Sequence, residues 1–494
     1  MTPSVGRKRW QPLGAVLMLA LLGQGCVAIP GHKTAPLPTP ESYRLDQDLK
    51  DALATPAFRQ GEWPQADWWR LFGDSQLDRL MDKALADNPD IRIAAARVRL
   101  AQKMAGIVHA GNLPQIAADA SITRDRFSKN YIFPPNIAAE PQNQGRIALD
   151  AGLDLDLWNR NRDLYRARLS DAQAAVADQA ETRLVISAAL AQAYFHLQGS
   201  QARREVARTA LAQRQDFARL VRLRANNGLE NLGAVKQAEA DVARERANLV
   251  ALERDIEAGK RALAALTGSG PNETGDLVAA ASRLDNALAL PAMLPMDLLA
   301  RRPDVAAARW RVEAAARQVG VAKAGFYPNI NLTGSVGFQS LGLDQLLKPE
   351  SIFSSFGPAI HLPIFGGGSL RANLGAAYAE YDIAVEQYHR ALVNAARDVA
   401  DQLAAVRSLS EEQTHQAQAL RDSEEAYRIA RLRYQKGVSD YLAVLQVQRD
   451  LLRQRDINTR LGEARRQAVV ALIKSLGGGY VANALPPAQA SLRR

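Results

Sequence analysis

The side chains that most often carry catalysis are present in this chain but are not arranged for it. Six histidines, His32, His109, His196, His361, His389 and His415, are scattered along the sequence. No two lie four apart, so no helix offers a pair of imidazoles to a zinc ion. Neither a G-x-S-x-G elbow nor a Walker A loop occurs. Gly366-Gly367-Gly368 has the look of a phosphate-cradling loop but lacks the Gly-Lys-Ser/Thr ending, and reads as a joint between a strand and a helix. The arginine run from Arg203 to Arg224 has the composition of a nucleic-acid contact, but on an exported chain it reads as a solvated face. We therefore expect no catalytic residue, no metal site, no cofactor and no nucleic-acid partner.

One thiol remains. Cys26 is the only cysteine, which excludes an internal disulfide framework and any multi-thiolate metal site. It follows a basic segment, Arg7, Lys8 and Arg9, and an apolar stretch, Leu13 to Leu22. That stretch is roughly ten residues long, far short of the ~20 that a spanning helix needs. Gly23-Gln24-Gly25-Cys26 resembles a bacterial lipobox, in which the cysteine takes a diacylglycerol before cleavage. The usual leucine and small residue, three and two places before the cysteine, are here Gly23 and Gln24. The alternative is an ordinary signal peptide with an incidental cysteine. Pro30 to Pro40 then reads as a linker.

The positioning elements come from a duplication. Asn88-Pro89-Asp90-Ile91 matches Arg302-Pro303-Asp304-Val305, and Leu113-Pro114-Gln115-Ile116 matches Tyr327-Pro328-Asn329-Ile330. Asn227-Gly228-Leu229 and Ala234-Val235 match Lys436-Gly437-Val438 and Ala443-Val444, while Ala262-Leu263 and Gly268 match Ala471-Leu472 and Gly477. Copies of about 200 residues are too long for solenoid units and indicate pseudo-symmetric halves of one body.

Each half opens with a helix, Pro89 to Ala110 or Pro303 to Gly325. Strands with a period of two follow. Ile147, Leu149, Ala151, Leu153, Leu155 and Leu157 alternate with Arg146, Ala148, Asp150, Gly152, Asp154 and Asp156. Ile330, Leu332, Val336 and Phe338 alternate with Asn331, Thr333, Ser335 and Gln339; Ile116 to Ile122 and Ile360 to Ile364 are shorter versions. The polar face fits either a solvent-washed sandwich or a wet barrel lumen. The polar loops Phe127 to Gln144 and Ser340 to Ser355, flanked by Tyr131, Phe133, Phe353 and Phe356, favour the barrel.

Long helices come next. Arg162 to Ala225 has no proline and a single glycine, Gly199; Ser369 to Lys436 has none and only Gly375. Such rods are roughly 95–100 Å long. Leu392, Ala396, Val399, Leu403 and Val406 follow a heptad. Each rod reverses at Gly228 or Gly437 into a return helix, Leu229 to Leu266 or Val438 to Leu476. A return helix of ~57 Å plus an opening helix of ~33 Å matches one rod, so each rod can lie against two shorter helices stacked end to end. Four strands cannot close a membrane barrel, which needs at least about eight. The chain must therefore oligomerise or leave sheet edges open.

Trp68-Trp69-Arg70-Leu71-Phe72-Gly73-Asp74, Arg302-Pro303-Asp304-Val305, Ala322-Lys323-Ala324-Gly325-Phe326-Tyr327-Pro328 and Leu362-Pro363-Ile364-Phe365 with Gly367-Gly368 occur in this order. Within the duplicated plan they resemble the TolC/OprM family of outer-membrane efflux channels, in its lipoprotein, NodT-like branch. The resemblance runs from about Trp63 to Gly479. It implies a mostly α fold with a membrane β-barrel contribution, a trimeric twelve-stranded barrel on an α-helical periplasmic tunnel. The implied function is a passive export conduit in the outer membrane, not an enzyme. It would be lipid-anchored and serve a periplasmic adaptor (membrane fusion) protein and an inner-membrane RND-type transporter. The expected segments are 1–25 signal peptide, 26–62 tether, 63–286 first repeat, 287–479 second repeat and 480–494 tail. The alternative is a lipid-anchored periplasmic coiled-coil scaffold or adaptor.

The resemblance also implies sites. Gly228, Leu229, Gly437 and Val438 would be adaptor-docking tips; the alternative is a plain structural turn. Leu442 and Gln446, four apart on one helix face, would form the periplasmic gate, tied to neighbouring helices by Tyr434 or Asp440. Family members often carry Asp at the place of Gln446, so an apolar plug is expected here rather than a cation-binding ring. The alternative is that Leu442 is coiled-coil core. The formal net charge of +10 reads as arginine-rich helical surface, or as attraction to phosphates or anionic lipid.

Overall fold

In a computed structural model of the protein, the described residues are 36–37, 45–130, 132, 134–138, 140–273, 277–278, 288–290 and 301–482. Cys26, the expected signal peptide, most of the Pro30–Pro40 linker, the boundary at 286/287 and residues 483–494 lie outside them.

The elements run α1 (Asp46–Leu53), β1 (Phe58–Gln60), α2 (Ser75–Asp87), α3 (Pro89–Gly111), β2 (Gln115–Asp125), β3 (Gln142–Asp154), α4 (Arg160–Asn226) and α5 (Leu232–Leu266). The second half supplies β4 (Leu288–Leu290), α6 (Pro303–Ala324), β5 (Asn329–Leu341), β6 (Ile352–His361), α7 (Ser369–Gln435) and α8 (Tyr441–Ser475). Both rods, α4 and α7, have 67 residues, and both return helices, α5 and α8, have 35. At 1.5 Å per residue the rods reach ~100 Å.

Caps explain where the helices begin. Asn88 precedes Pro89 and accepts the Asp90 and Ile91 amides at 2.8 and 3.4 Å, which satisfies donors that the first turn leaves free. Asp156 accepts the amides of Asn161 and Arg162, both at 2.9 Å, at the start of α4. The return helices start three residues later than the glycine turns suggest. The chain first crosses from rod to return helix, and Asn231 and Asp440 then cap α5 and α8 by accepting the Ala234 and Ala443 amides, each at 2.9 Å.

The four long strands form one antiparallel sheet in the order β2-β3-β5-β6. Directly paired residues share a face. Leu149 lies opposite Ala118 and Val336, and Ile147 opposite Ala120 and Phe338, on the apolar side; Arg146 opposite Ser121 and Gln339, and Asp150 opposite Ser335, on the polar side. Two strand limits differ from expectation. β3 ends at Asp154 because the backbone turns at Asp156 (φ 45°). β6 runs from Ile352 to His361, not Ile360 to Ile364; Phe353 and Phe356 therefore pair with β5, and the chain leaves the sheet at Pro363, which has no amide to donate. Gly366-Gly367-Gly368 joins this exit to α7, as a strand-to-helix link.

The helices continue the strand order. α4 packs against α3 and α5 on one flank and against α6 and α8 on the other, and α7 packs against α6 and α8. The largest core lies midway along the rods, where Trp68, Phe72, Leu77, Met81, Tyr194, Phe195, Leu263, Leu472 and Ile473 are buried. Each such side chain contributes about 1.5–3 kcal/mol on leaving water. A second core joins Val305, Val312 and Val319 of α6 to Leu374, Tyr378, Tyr381 and Tyr388 of α7.

The tether 26–62 needs correcting at its C-terminal end. Residues 46–53 are helical, β1 pairs in parallel with β4, and Leu45, Leu49, Ala52 and Phe58 are buried in the main core. The strand pair stitches the segment before the first repeat to the segment before the second. Tyr480, the first residue of the expected tail, packs on Ala177, Ala306 and Ala307. No described helix is long and apolar enough to cross a membrane.

Candidate functional site at the rod tips

Rods of equal length bring the two turns to the same end of the molecule. Gly228 and Gly437 both have φ +73°. Each closes a six-residue reversal: the amides of Leu229 and Val438 donate to the carbonyls of Arg224 and Arg433, both at 2.9 Å, and the glycine amides donate to Ala225 and Tyr434, both at 3.0 Å. This is the αL helix stop that glycine adopts without a Cβ penalty. A Cβ at either glycine would meet nothing within 4 Å, so the space in front of both backbones is open. Leu229 and Val438 are 64% and 66% exposed. The four residues singled out at the tips thus form two matching apolar points.

Leu442 and Gln446 are both exposed, on one face of the first turns of α8. Leu442 is 66% exposed. The hairpin core is built instead by Val444 and Leu445, together with Val221, Val235, Ala238 and Tyr434. Leu442 is therefore not a core residue of its own hairpin.

Tyr434 is buried, and its hydroxyl donates to Glu230 Oε1 at 3.4 Å. Its ring lies 5.3 Å from that of Phe217, and Arg224 sits 4.8 Å above it. It therefore ties the second rod to the first tip. Asp440 does not share this role. Within the chain its carboxylate caps α8, while Tyr434 makes the contact with the first tip.

The sequence reading missed the burial of several carboxylates, Asp241 and Glu463 among them. Asp241 on α5 sits 3.6 Å from Arg214 of α4 and 3.6 Å from Arg449 of α8, with Arg244 also paired to it. It occupies what reads as an ordinary polar position of an amphipathic helix, and spacing gives no sign of it. Glu463 on α8 approaches His196 Nδ1 of α4 at 2.8 Å. Here a signal existed: Gly199, the one glycine of α4, faces it. Among the described residues no group of three or more His, Cys, Asp or Glu is placed to hold a metal.

A family model described as outer membrane efflux protein matches residues 80–269 and 294–478, one copy on each structural half. The chain belongs to the outer membrane efflux protein family. It is 31% identical over 490 residues to the multidrug resistance outer membrane protein MdtP of Shigella flexneri, covering 95% of this chain and 98% of that one. It is 36% identical over 372 residues to the fusaric acid resistance protein FusA of Burkholderia cepacia, covering 74% and 69%. Among solved structures it resembles the outer membrane protein VceC of Vibrio cholerae, with 36% identity, a TM-score of 0.78 and coverage of 85% and 100%. The outer-membrane channel OprN is similar at 27% identity, with a TM-score of 0.82 and coverage of 92% and 100%. The family's members are outer-membrane proteins, and the sheet's apolar face fits that residence where no helix among the described residues can span a membrane.

Proposed function

We propose that the protein is the outer-membrane channel subunit of a tripartite efflux pump, a passive conduit for small molecules across the periplasm and outer membrane. The observation that carries this reading is the sheet. Its apolar side bears Leu149, Leu153, Ile147, Val336 and Phe338, and its polar side bears Arg146, Asp150 and Asp154. Its outer strands β2 and β6 each have one unpaired edge. Such a sheet finds partners for its edge amides only by joining other copies, and three copies make a twelve-stranded barrel with a polar lumen. The rods continue that wall for ~100 Å. A lipid-anchored scaffold, the other reading, has no use for an apolar sheet face.

In this reading the chain is a homotrimer whose tips, Gly228-Leu229 and Gly437-Val438, dock a periplasmic adaptor. The adaptor links it to an inner-membrane transporter of the RND type. Leu442 of three chains forms an apolar constriction that resists ions by dewetting, with Gln446 beside it as a neutral amide. Cys26 carries a lipid that assists the barrel in anchoring, and the mass of the mature N-terminus tests this directly. The residues do no chemistry on what passes.

Single-channel recording in a planar bilayer tests the conduit. The parent should conduct, Leu442→Ala should raise conductance, and Gln446→Asp should increase block by divalent cations. A protein that extracts from membranes with salt and never conducts sinks the proposal.

A further inference from the structure

Glycine in the middle of a helix weakens it relative to alanine, and α4 spans 67 residues with only one, Gly199. α8 also has only one, Gly462. The two lie at the same level, because Glu463, the neighbour of Gly462, inserts its carboxylate against Gly199. A Cβ on Gly199 would collide with Glu463 Oε2. A third glycine, Gly259 of α5, faces Leu197 of α4, where an added Cβ would come within 3.3 Å of its side chain. The first rod is thus approached at one narrow level by both return helices.

Glu463 is held on both oxygens. Oε1 lies 2.8 Å from His196 Nδ1 and accepts from Gln467 Nε2 at 3.2 Å, while Arg203 Nη2 stands 3.9 Å from Oε2. Arg466 extends over the Phe195 ring at 5.7 Å. From this level toward its C-terminus, α8 is fixed in the main core by Val469, Val470, Leu472, Ile473 and Leu476, all at most 2% exposed. Toward the tip its link to the first half is lighter: Arg449, half exposed, reaches Asp241 at 3.6 Å. Val444 and Leu445 enter the small tip core.

We propose that the Gly199–Glu463 contact is the fulcrum of α8, the point at which this helix is pinned to the first rod and about which its Leu442 end swings. The inference rests on the reading of Leu442 as a gate. Twenty-one residues separate Glu463 from Leu442, ~31 Å of helix, so a small rotation at the pin becomes a displacement of several ångströms at the constriction. Glu463 and Gly199 are positioning residues; neither touches what is transported.

The test is a double-mutant cycle on the full-length protein in planar bilayers, with trimer mass and melting temperature checked for each variant. Gly199→Ala pushes the carboxylate out, and Glu463→Asp withdraws it by one methylene. Each alone should change single-channel conductance about twofold or more, and the pair together should return toward the parent, since the shorter acid leaves room for the added methyl. Singles that conduct like the parent, or a double variant no nearer the parent than either single, overturn the fulcrum. Glu463→Asp adds no atoms, so it carries the test alone if Gly199→Ala does not assemble; unchanged conductance in it is then decisive. A parent that never conducts sinks the channel reading itself, a different failure.

Discussion

α3 and α6 occupy the same place in the two repeats, with 23 and 22 residues, yet they are buried differently. α6 lies between both rods and buries Val305, Ala306, Ala307, Val312, Ala316 and Val319 around much of its circumference. α3 buries only Ile91, Ala94, Val98 and Ala105, against α4. Its other side exposes Ile93, Leu100, Met104 and Ile107, with Leu100 and Ile107 61% and 65% exposed. The spacing of seven, four and three is that of a coiled-coil seam. At the opposite edge of the layer, α7 exposes Ala372, Ala376 and Ala379, a row of small residues that admits a close neighbour, with Ile383 one turn beyond. A helix that is interior in one repeat and half-covered in the other is what the proposed ring, completed by further copies, requires.

The largest effect should therefore come from charging that seam. Leu100→Glu with Ile107→Glu leaves every buried contact of α3 in place but puts two carboxylates into the interface between copies. The variant should purify as a monomer in detergent by light scattering, where the proposed channel requires the parent to run as a trimer. A trimer of normal stability would place the copies' contact elsewhere and undo the comparison.

A second difference lies where the stacked helices meet. In the first half Asn88 Nδ2 donates to the Leu266 carbonyl at 2.8 Å. In the second, Arg302 Nη1 donates to the equivalent carbonyl, Ser475, at 3.2 Å, and its remaining nitrogens reach Asp304 at 2.8 and 3.1 Å and Asp398 at 3.5 Å. One joint is a neutral amide and the other an ionic one, with a buried arginine and carboxylates that keep contact with water. Arg302→Ala removes one carbonyl bond and three carboxylate bonds; because Asp304 and Asp398 reach water, the cost stays below the ~3–5 kcal/mol of a fully buried pair, whereas losing a cap and one hydrogen bond costs about 1–2 kcal/mol. Arg302→Ala should lower the denaturation midpoint further than Asn88→Ala, by up to about twofold. Equal losses would mean that the ionic joint is no more than an elaborate cap.

Much of this was legible in the residues. The proline-led helices, the uninterrupted rods and the glycine stops depend on local backbone chemistry, and local chemistry is written in sequence. The strand faces were legible because Leu149 and Asp150 must point opposite ways. What escaped depends on long-range packing. β1 is three residues long and has a register only because β4 lies beside it, and α1 looks like linker until Leu45 and Leu49 find the main core. Asp440 read as a tie because a carboxylate near a tip can serve either purpose; only the Ala443 amide at 2.9 Å decides that it is a cap.

The smallest effect concerns the ionic joint and pH. Glu181 of α4 sits beside it, and burial pushes its carboxyl up from the ordinary 4.5 to about 7; Asp304 and Asp178 add to the rise, and Arg302 and Lys474 oppose it. The corresponding place on the second rod is the exposed Arg390, so the first rod alone carries this feature. A carboxyl that titrates higher in the folded chain binds its proton more tightly there than when unfolded. Its contribution to stability is complete below about pH 4.5 and is lost as the pH rises through about 7. Glu181→Gln stays neutral throughout. Its melting temperature should match the parent's at pH 4.5 and exceed it by a few degrees at pH 8, the gap opening between those values. Parallel curves across that range would mean that Glu181 reaches water in the protein as it exists in solution, and the joint would then differ from its first-half counterpart only in the arginine.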